Sequence, residues 1–206
     1  MTDLLAVIAR AAPDAADRIG ALRPAHLGVL TPLVEAGTVR LAVPLLDDAG
    51  SYRGSLIVIE PGAVEGYFAA EPFRAIWVSH EVRPFRLAGL PWPPLPTGPV
   101  PPAPTHVVLL AGDGADAEAP ARRMGARPRH FARVERSAAD GMLALGGAFL
   151  DAPGGAMVGS LAVTRHGSIG EAQAWWAEDP YLAEGVWRDT EWFATRFAPL
   201  PYRPLA

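Results

Sequence analysis

Short apolar runs alternate with longer segments of helical character along the chain. In the second half, His106 to Ala111, Met142 to Leu150 and Val158 to Thr164 are apolar runs of strand length. The loop Asp151-Ala152-Pro153-Gly154-Gly155 joins the last two runs and is typical of a hairpin. Gly185 to Phe197 supplies a fourth predicted strand.

Two helices are predicted between these strands. The first begins at Arg127-Pro128, because proline is favoured in the first helical turn, and Gly141 ends it. The second begins after Ser168, with Glu171 as its capping-box partner, and runs to about Ala177. The resulting order is β-α-β-β-α-β, which is typical of the ferredoxin-like plait.

The first half has the same predicted order with a shorter second helix. Its elements are a strand from Leu4 to Ala11, a helix near Arg23 to Ala36, and strands over Thr38 to Leu45, Gly54 to Glu60 and Ile76 to Leu87. From Gly54 to Glu71 the chain spans 17 residues, against 20 from Gly159 to Asp179. The segment that should hold the second helix is therefore shorter by nearly one helical turn of about 3.6 residues. The first half has therefore diverged more at this end.

Three motifs occur twice and indicate a duplicated domain. They are Arg23-Pro24-Ala25-His26, Gly54-Ser55 and Glu71-Pro72-Phe73, which return as Arg127-Pro128-Arg129-His130, Gly159-Ser160 and Asp179-Pro180-Tyr181. The offsets are 104, 105 and 108 residues. Such a period is too long for a solenoid and fits one small domain.

Prolines crowd the segment between the two copies. Because proline fixes its own backbone dihedral and lacks an amide donor, this segment predicts an extended, semi-rigid linker. We expect a first domain over 1–88, the linker over 89–104 and a second domain over 105–206. The prolines are Pro91, Pro93, Pro94, Pro96, Pro99, Pro101, Pro102 and Pro104.

Composition narrows the function classes. With 206 residues, 50% of them hydrophobic, the chain can bury a real core. The net charge of -4 argues against nucleic-acid binding. No apolar run reaches the roughly 18 residues of a membrane span, and the start of the chain lacks the positive flank of a signal peptide. We therefore expect a soluble cytoplasmic protein with a small-molecule substrate as partner.

The absence of cysteine and of lysine from the chain limits the chemistry open to it. There is no cysteine, and all 18 basic residues other than histidine are arginine. Thiol catalysis, Schiff-base chemistry and a phosphate loop with its lysine are therefore excluded. His106, His130, His166 and Asp179 could be proposed as metal ligands, but no metal-binding spacing joins them. We expect neither a metal nor a cofactor.

The repeated motifs resemble those of the YCII-related (YciI-like) domain family. The resemblance lies in arginine-proline-x-histidine, glycine-serine and aspartate-proline-tyrosine, and it is nearly residue for residue from Glu171 to Val186. It implies an α+β fold of two ferredoxin-like plaits, fused as a pseudo-dimer with packed antiparallel sheets. It also implies that the fused chains could pair further as a homodimer.

The same resemblance implies a pocket with a histidine-aspartate dyad. Carried over by position, the dyad is His130 with Asp179, and His26 with Glu71 is a second candidate site. The first copy departs from the family pattern by glutamate for aspartate and by Phe73 for tyrosine. We therefore expect any single working site at His130 and Asp179, with the first copy kept mainly as the partner that completes the fold.

Acid-base chemistry fits such a dyad. In the first turn of its helix, His130 would meet the positive end of the macrodipole, which favours the neutral imidazole of a general base. Asp179 would fix its tautomer and stabilise the imidazolium. A lyase or isomerase is the leading hypothesis, since a dehydrochlorinase of chlorinated hydroxyhydroquinone degradation belongs to the family. The alternative is a non-catalytic ligand-binding or accessory module.

Three further residues are candidates for substrate binding. Ser160 could donate a hydrogen bond to a substrate oxygen, or its glycine-serine motif could serve backbone packing. Arg127 could hold an anionic group or pair with a nearby aspartate. Tyr181 could reach into the pocket, although an aromatic residue after a helix is more often part of the core.

Overall fold

Each half of the chain builds a β-α-β-β-α-β unit in the computed structural model, which describes residues 3–205. The predicted α+β fold class is therefore confirmed. The first unit contains β1 (Leu4–Ala11), α1 (Ala15–Ala36), β2 (Val39–Leu46), β3 (Tyr52–Ile59), α2 (Val64–Ala70) and β4 (Trp77–Leu87). The second contains β5 (His106–Asp113), α3 (Ala119–Ala139), β6 (Leu143–Leu150), β7 (Met157–Thr164), α4 (Ile169–Trp176), α5 (Pro180–Ala183) and β8 (Trp187–Thr195).

The eight strands close into one antiparallel barrel. Their order is β1-β3-β2-β8-β5-β7-β6-β4, so each half contributes a four-stranded sheet with plait topology. The two sheets meet at two seams, where Leu46 pairs with Ala194 and Phe85 pairs with Phe149. Both halves thus act as the two chains of a dimeric barrel would.

One apolar core fills the barrel, and the helices cover its outside. The interior is shared by residues of both halves, among them Ile8 and Leu56 from the first and Val108 and Leu145 from the second. Separate clusters lie between each sheet and its own helices. Because strands alternate their side chains between two faces, each sheet contributes to an inner and an outer layer. No helix in the described part of the chain has the length and apolar character that a bilayer crossing needs.

The long helices begin earlier than the sequence predicts. The expected start of α3 at Arg127-Pro128 is wrong, because Pro120 takes the favoured position in the first turn and Pro128 lies inside the helix. An internal proline leaves the carbonyl four residues before it without its helical amide partner. That carbonyl belongs to Met124. In the first half, α1 likewise runs through Pro24.

The second helical segment follows its prediction closely. The Ser168 hydroxyl accepts a hydrogen bond from the Glu171 amide at 3.3 Å, and the Glu171 carboxylate accepts one from the Gly167 amide at 2.9 Å. This arrangement satisfies two amides at the start of α4. After α4 ends, Asp179 caps the short helix α5, so the aspartate-proline pair both ends one helix and begins the next.

The proline-rich segment is packed against the barrel. Between β4 and β5 the chain has no helix or strand, as a proline-rich sequence predicts. Leu95 is buried in the barrel core, Trp92 packs on the outer cluster of the second half, and the Trp92 indole donates to the Ala88 carbonyl at 2.9 Å. The division into separate domains at 88 and 105 stays a prediction, since the barrel itself is closed by both halves.

Close contact between strands explains the glycine of each glycine-serine motif. A Cβ atom at Gly54 would collide with the carbonyl oxygen of Ala9 on the neighbouring strand, and one at Gly159 would collide with that of Ala111. Only glycine allows this approach. The following serines, Ser55 and Ser160, are both buried.

His106 makes the stability of the fold depend on pH. It is 7% exposed, and burial lowers its pKa from 6.5 to about 4, with Arg165 and His166 acting in the same direction. Between these two values the unfolded chain binds a proton that the folded chain excludes. Stability is therefore lost as the pH falls from about 6.5 to about 4, by about 3 kcal/mol from this group.

We expect His106→Leu to flatten this pH dependence, because it removes the buried group that titrates. Leucine is chosen because Leu4 fills the equivalent place in β1. Urea unfolding between pH 7 and pH 4 measures it, and His80→Gln, which changes an exposed histidine, is the control. Equal loss of stability on acidification in wild type and His106→Leu would contradict the assignment.

Candidate active site

His130 and Asp179 are in direct contact. His130 lies on α3, and its Nδ1 is 2.8 Å from Oδ1 of Asp179, which precedes α5. The same oxygen accepts the Tyr181 amide at 2.9 Å, and Asp179 is fully buried. An ionised carboxylate only accepts hydrogen bonds, so a neutral imidazole paired with it donates through Nδ1 and carries no proton on Nε2.

The helix macrodipole does not act on His130 as the sequence suggested. Since α3 begins at Ala119, the histidine lies in the middle of a 21-residue helix and not in its first turn. The dipole effect is confined to the terminal turns. What orients the ring is Asp179 together with Tyr181, whose ring stacks on the imidazole at 3.7 Å with an interplanar angle of 8°.

A nearby guanidinium faces the other oxygen of Asp179. Oδ2 has no hydrogen-bond partner among the described residues, and Nε of Arg133 lies 3.8 Å away from it. Arg133 is held there by a 2.6 Å hydrogen bond to the Trp175 carbonyl and by its position over the Trp175 ring. The buried carboxylate therefore has a positive charge beside the oxygen that does not face His130.

The histidine of the pair borders a pocket of about 310 Å³, and Asp179 lies behind it. Three aromatic side chains, Trp176, Tyr181 and Trp187, line it beside His130, and the end of the first half covers it with residues 86–90. Nε2 of His130 has no partner among the described residues, yet it is not among the buried unpartnered atoms, so it is accessible. A pocket ligand can therefore reach it.

Ser160 lies in the same pocket as a hydrogen-bond donor. Its Oγ accepts one hydrogen bond from Arg123 at 3.2 Å and another from the Trp187 indole at 3.1 Å. A hydroxyl oxygen has two lone pairs, so both are in use and only its proton remains. The guanidinium polarises this hydroxyl, which makes Ser160 a donor to any ligand oxygen placed against it.

The other two predicted binding residues also line the pocket. Tyr181 is buried, and this burial raises the pKa of its phenol. Arg127 is exposed at the pocket mouth with its guanidinium over the Phe131 ring, and it has no carboxylate partner among the described residues. The structure thus brings all five predicted residues of the second half to one place.

A buried ion pair behind Ser160 was missed by the sequence analysis. Arg123 donates to both oxygens of Asp113 at 2.8 and 2.9 Å, and both side chains are buried. Burial raises the pKa of Asp113, and Arg123 opposes that rise. The available signal was helical spacing, since Arg123, Arg127 and His130 follow one another on one face of α3. Because the predicted helix began only at Arg127, Arg123 was left outside it and its spacing was not considered.

The first half assembles a similar pocket of about 300 Å³. Nδ1 of His26 is 2.8 and 2.9 Å from the two oxygens of Glu71, so the structure also brings this second pair together. Glu71 accepts the Phe73 amide at 2.8 Å, and the His26 ring stacks on Phe73 at 3.8 Å. Glutamate and phenylalanine therefore reproduce the geometry of aspartate and tyrosine.

The two pockets differ at their inner ends. Ile19 in the first half is equivalent to Arg123 in the second, because each lies seven residues before the histidine of its pocket. Ala11 is equivalent to Asp113, because each pairs with the tryptophan that begins the last strand of its half. The buried ion pair of the second pocket is thus replaced by two apolar residues in the first. There the Ser55 hydroxyl contacts Tyr52 instead, at 2.8 Å.

The proposed metal ligands do not come together. His106 contacts Phe197, and His166 contacts Trp175. Within residues 3–205, no three histidine, aspartate or glutamate side chains form a group that could hold a metal ion.

Fold and site together define a dimeric α+β barrel built from one chain, with a histidine-carboxylate pocket in each half. The sequence model of the YCII-related domain matches residues 105–195. The second half of the chain therefore belongs to the YCII-related domain family, as its motifs indicated. No curated protein matches the sequence.

Solved structures share the barrel at low sequence identity. A proposed monooxygenase from Fusobacterium nucleatum is 8% identical, with a TM-score of 0.59 over 95% of this chain and 92% of its own. Another from Lactobacillus acidophilus is 14% identical, with a TM-score of 0.55 over 96% and 94%. These similarities concern the fold alone. A 5-chloro-2-hydroxyhydroquinone dehydrochlorinase from Burkholderia phenoliruptrix is 21% identical over 42% of this chain and 89% of its own, with a TM-score of 0.37.

Proposed function

We propose that the second-half pocket is the active site of a cofactor-independent lyase or isomerase that uses His130 and Asp179 for acid-base catalysis. One observation carries the proposal. The imidazole is fixed through Nδ1 by a fully buried carboxylate, while Nε2 is accessible to a pocket and has no partner among the described residues. A purely structural histidine would more often have both nitrogens satisfied.

The reaction begins with proton abstraction. Nε2 of His130 takes a proton from an acidic carbon or hydroxyl of the substrate, and Asp179 stabilises the imidazolium that forms. In an elimination, the electron pair of the broken C–H bond forms the new π bond and the leaving group departs with its own pair. The proton on His130 is then released to water or to the product. In an isomerisation, it returns to another atom of the substrate.

Ser160 and Arg123 stabilise negative charge on a substrate oxygen. The Ser160 proton is a free donor at the inner end of the pocket, and Arg123 strengthens it from behind. Donors aimed at a developing oxyanion contribute most when water is excluded. Aromatic and aliphatic side chains form the walls, and none of the described residues that line the pocket is acidic. A small, flat substrate with a carbonyl or phenolic oxygen fits these features.

A thermal-shift screen of phenols, quinones and uncharged aromatic ketones tests the proposal. We expect some of them to stabilise wild type and His26→Ala but not His130→Ala. A ligand at about 100 times its Kd adds about 2.7 kcal/mol, which raises the Tm of a chain of this size by several degrees. A panel with no stabilising compound, or with equal stabilisation of His130→Ala, would contradict the assignment. Stabilisation through His130 without any turnover would favour the ligand-binding module.

A further inference from the structure

We propose that the first-half pocket is a second and separate binding site, which takes a small anionic aromatic molecule and anchors it with Arg196 from the other half of the chain. The proposal does not depend on the chemistry assigned to the second-half pocket.

The first-half pocket has the form of a ligand site. Its volume of about 300 Å³ equals that of the second-half pocket and falls at the lower end of the range for small-molecule sites. Leu30, Ile57 and Phe73 are among its apolar walls. Nε2 of His26 is accessible and has no partner among the described residues, because Glu71 engages only Nδ1.

Arg196 supplies the positive charge. It follows β8 directly and reaches the first-half pocket, where its guanidinium donates to the carbonyls of Pro101 and Pro102 at 3.1 and 2.8 Å. These two carbonyls hold the guanidinium in place without neutralising it. Arg196 has no carboxylate within 4.0 Å in the described part of the chain, and no acidic residue lines the pocket there.

The equivalent arginine of the second-half pocket is neutralised. Arg86 follows Trp77 at the same spacing as Arg196 follows Trp187, and it lines the other pocket. Its guanidinium pairs with Asp3 at 2.9 and 3.3 Å. An unpaired arginine at this position, directly after the last strand or at its end, is therefore a property of the first-half pocket. Arg23 at the mouth of the first-half pocket adds positive charge, as Arg127 does at the mouth of the second.

The inner end of the first-half pocket offers a hydroxyl donor. The Trp77 indole donates to the Tyr52 oxygen at 3.0 Å, and Tyr52 and Ser55 share one hydrogen bond at 2.8 Å. Two hydroxyl protons are present and one is used in that bond, so one remains for a ligand. Burial raises the pKa of Tyr52, which keeps it a phenol.

These contacts specify the ligand class. An anionic group pairs with Arg196, an aromatic ring contacts the apolar walls, and an oxygen accepts the spare hydroxyl proton. Arginine pairs with carboxylates through two parallel hydrogen bonds, so an aromatic carboxylate is the simplest such ligand.

Two indole groups report the pockets separately. The Trp77 indole binds the hydroxyl pair of the first-half pocket, and the Trp187 indole binds Ser160 in the second. Their ¹H–¹⁵N signals can be assigned with Trp77→Phe and Trp187→Phe. Titration with benzoate should shift the Trp77 signal to saturation, and benzamide, which has the same shape without the charge, should bind more weakly.

Matched arginine variants complete the test. We expect Arg196→Gln to weaken benzoate binding at the Trp77 signal at least about tenfold, the size of one lost charged hydrogen bond. Arg196→Lys should retain most of the affinity, and Arg86→Gln should leave the Trp77 titration unchanged. Absence of a saturable Trp77 shift in wild type would overturn the proposal, as would equal benzoate affinity in Arg196→Gln. A Trp77 shift that persists in His130→Ala separates this site from the function proposed for the other pocket.

Discussion

Arg123→Ile is expected to lower the free energy of unfolding by about 3–5 kcal/mol, because it leaves Asp113 buried without its cation. The side chains of Arg123 and Asp113 are only 5% and 7% exposed, so both charges depend mainly on each other for compensation. Isoleucine is chosen because Ile19 stands at the equivalent place in the first half. Urea unfolding measures the change.

The double variant Arg123→Ile with Asp113→Ala should recover most of the lost stability. It reproduces the Ile19 and Ala11 pair of the first-half pocket, and removing both members of a buried ion pair costs far less than removing one. The exposed neighbouring pair Arg122–Asp116 provides the control, since Arg122→Ala should cost no more than about 1 kcal/mol. A loss in Arg123→Ile no larger than that in Arg122→Ala would contradict the account of this pair.

His130→Gln is expected to slow proton transfer to and from a bound substrate by about 10²- to 10⁴-fold, the usual contribution of a general base. Asp179→Asn should also slow it severely, because asparagine cannot stabilise the imidazolium. The measurement is the turnover of a compound found by the ligand screen, or the uptake of solvent deuterium at its acidic carbon.

His26→Gln is the matched control for this pair of variants. It removes the equivalent histidine of the other pocket and should leave the rate within about twofold, since the two pockets share no lining residue among those described. Undiminished proton transfer in His130→Gln, with binding retained, would remove His130 from the catalytic role.

The sequence predicted the strands and both histidine-carboxylate pairs through its repeated motifs. These elements depend on local patterns: alternation within a strand, a glycine where backbones approach, and Ser168 as a cap. The shorter second helix of the first half predicted that its acidic residue would be less well placed. The His26–Glu71 contact forms nevertheless.

Other features depend on contacts between distant segments. The start of α3 was misjudged because Pro128 has the same local signature inside a helix as at its beginning. Arg123 was consequently left outside the helix and away from the pocket. The barrel seam at Leu46 and Ala194 joins two edge strands far apart in the chain, and no pattern within either strand encodes that register.

The most direct test of the catalytic account is the tautomer of His130, read from a long-range ¹H–¹⁵N spectrum of the imidazole groups and assigned with His130→Gln. The neutral ring should carry its proton on Nδ1, facing Asp179, and leave Nε2 bare toward the pocket. A neutral ring protonated on Nε2 would contradict the account, because that nitrogen could not accept a proton from a substrate.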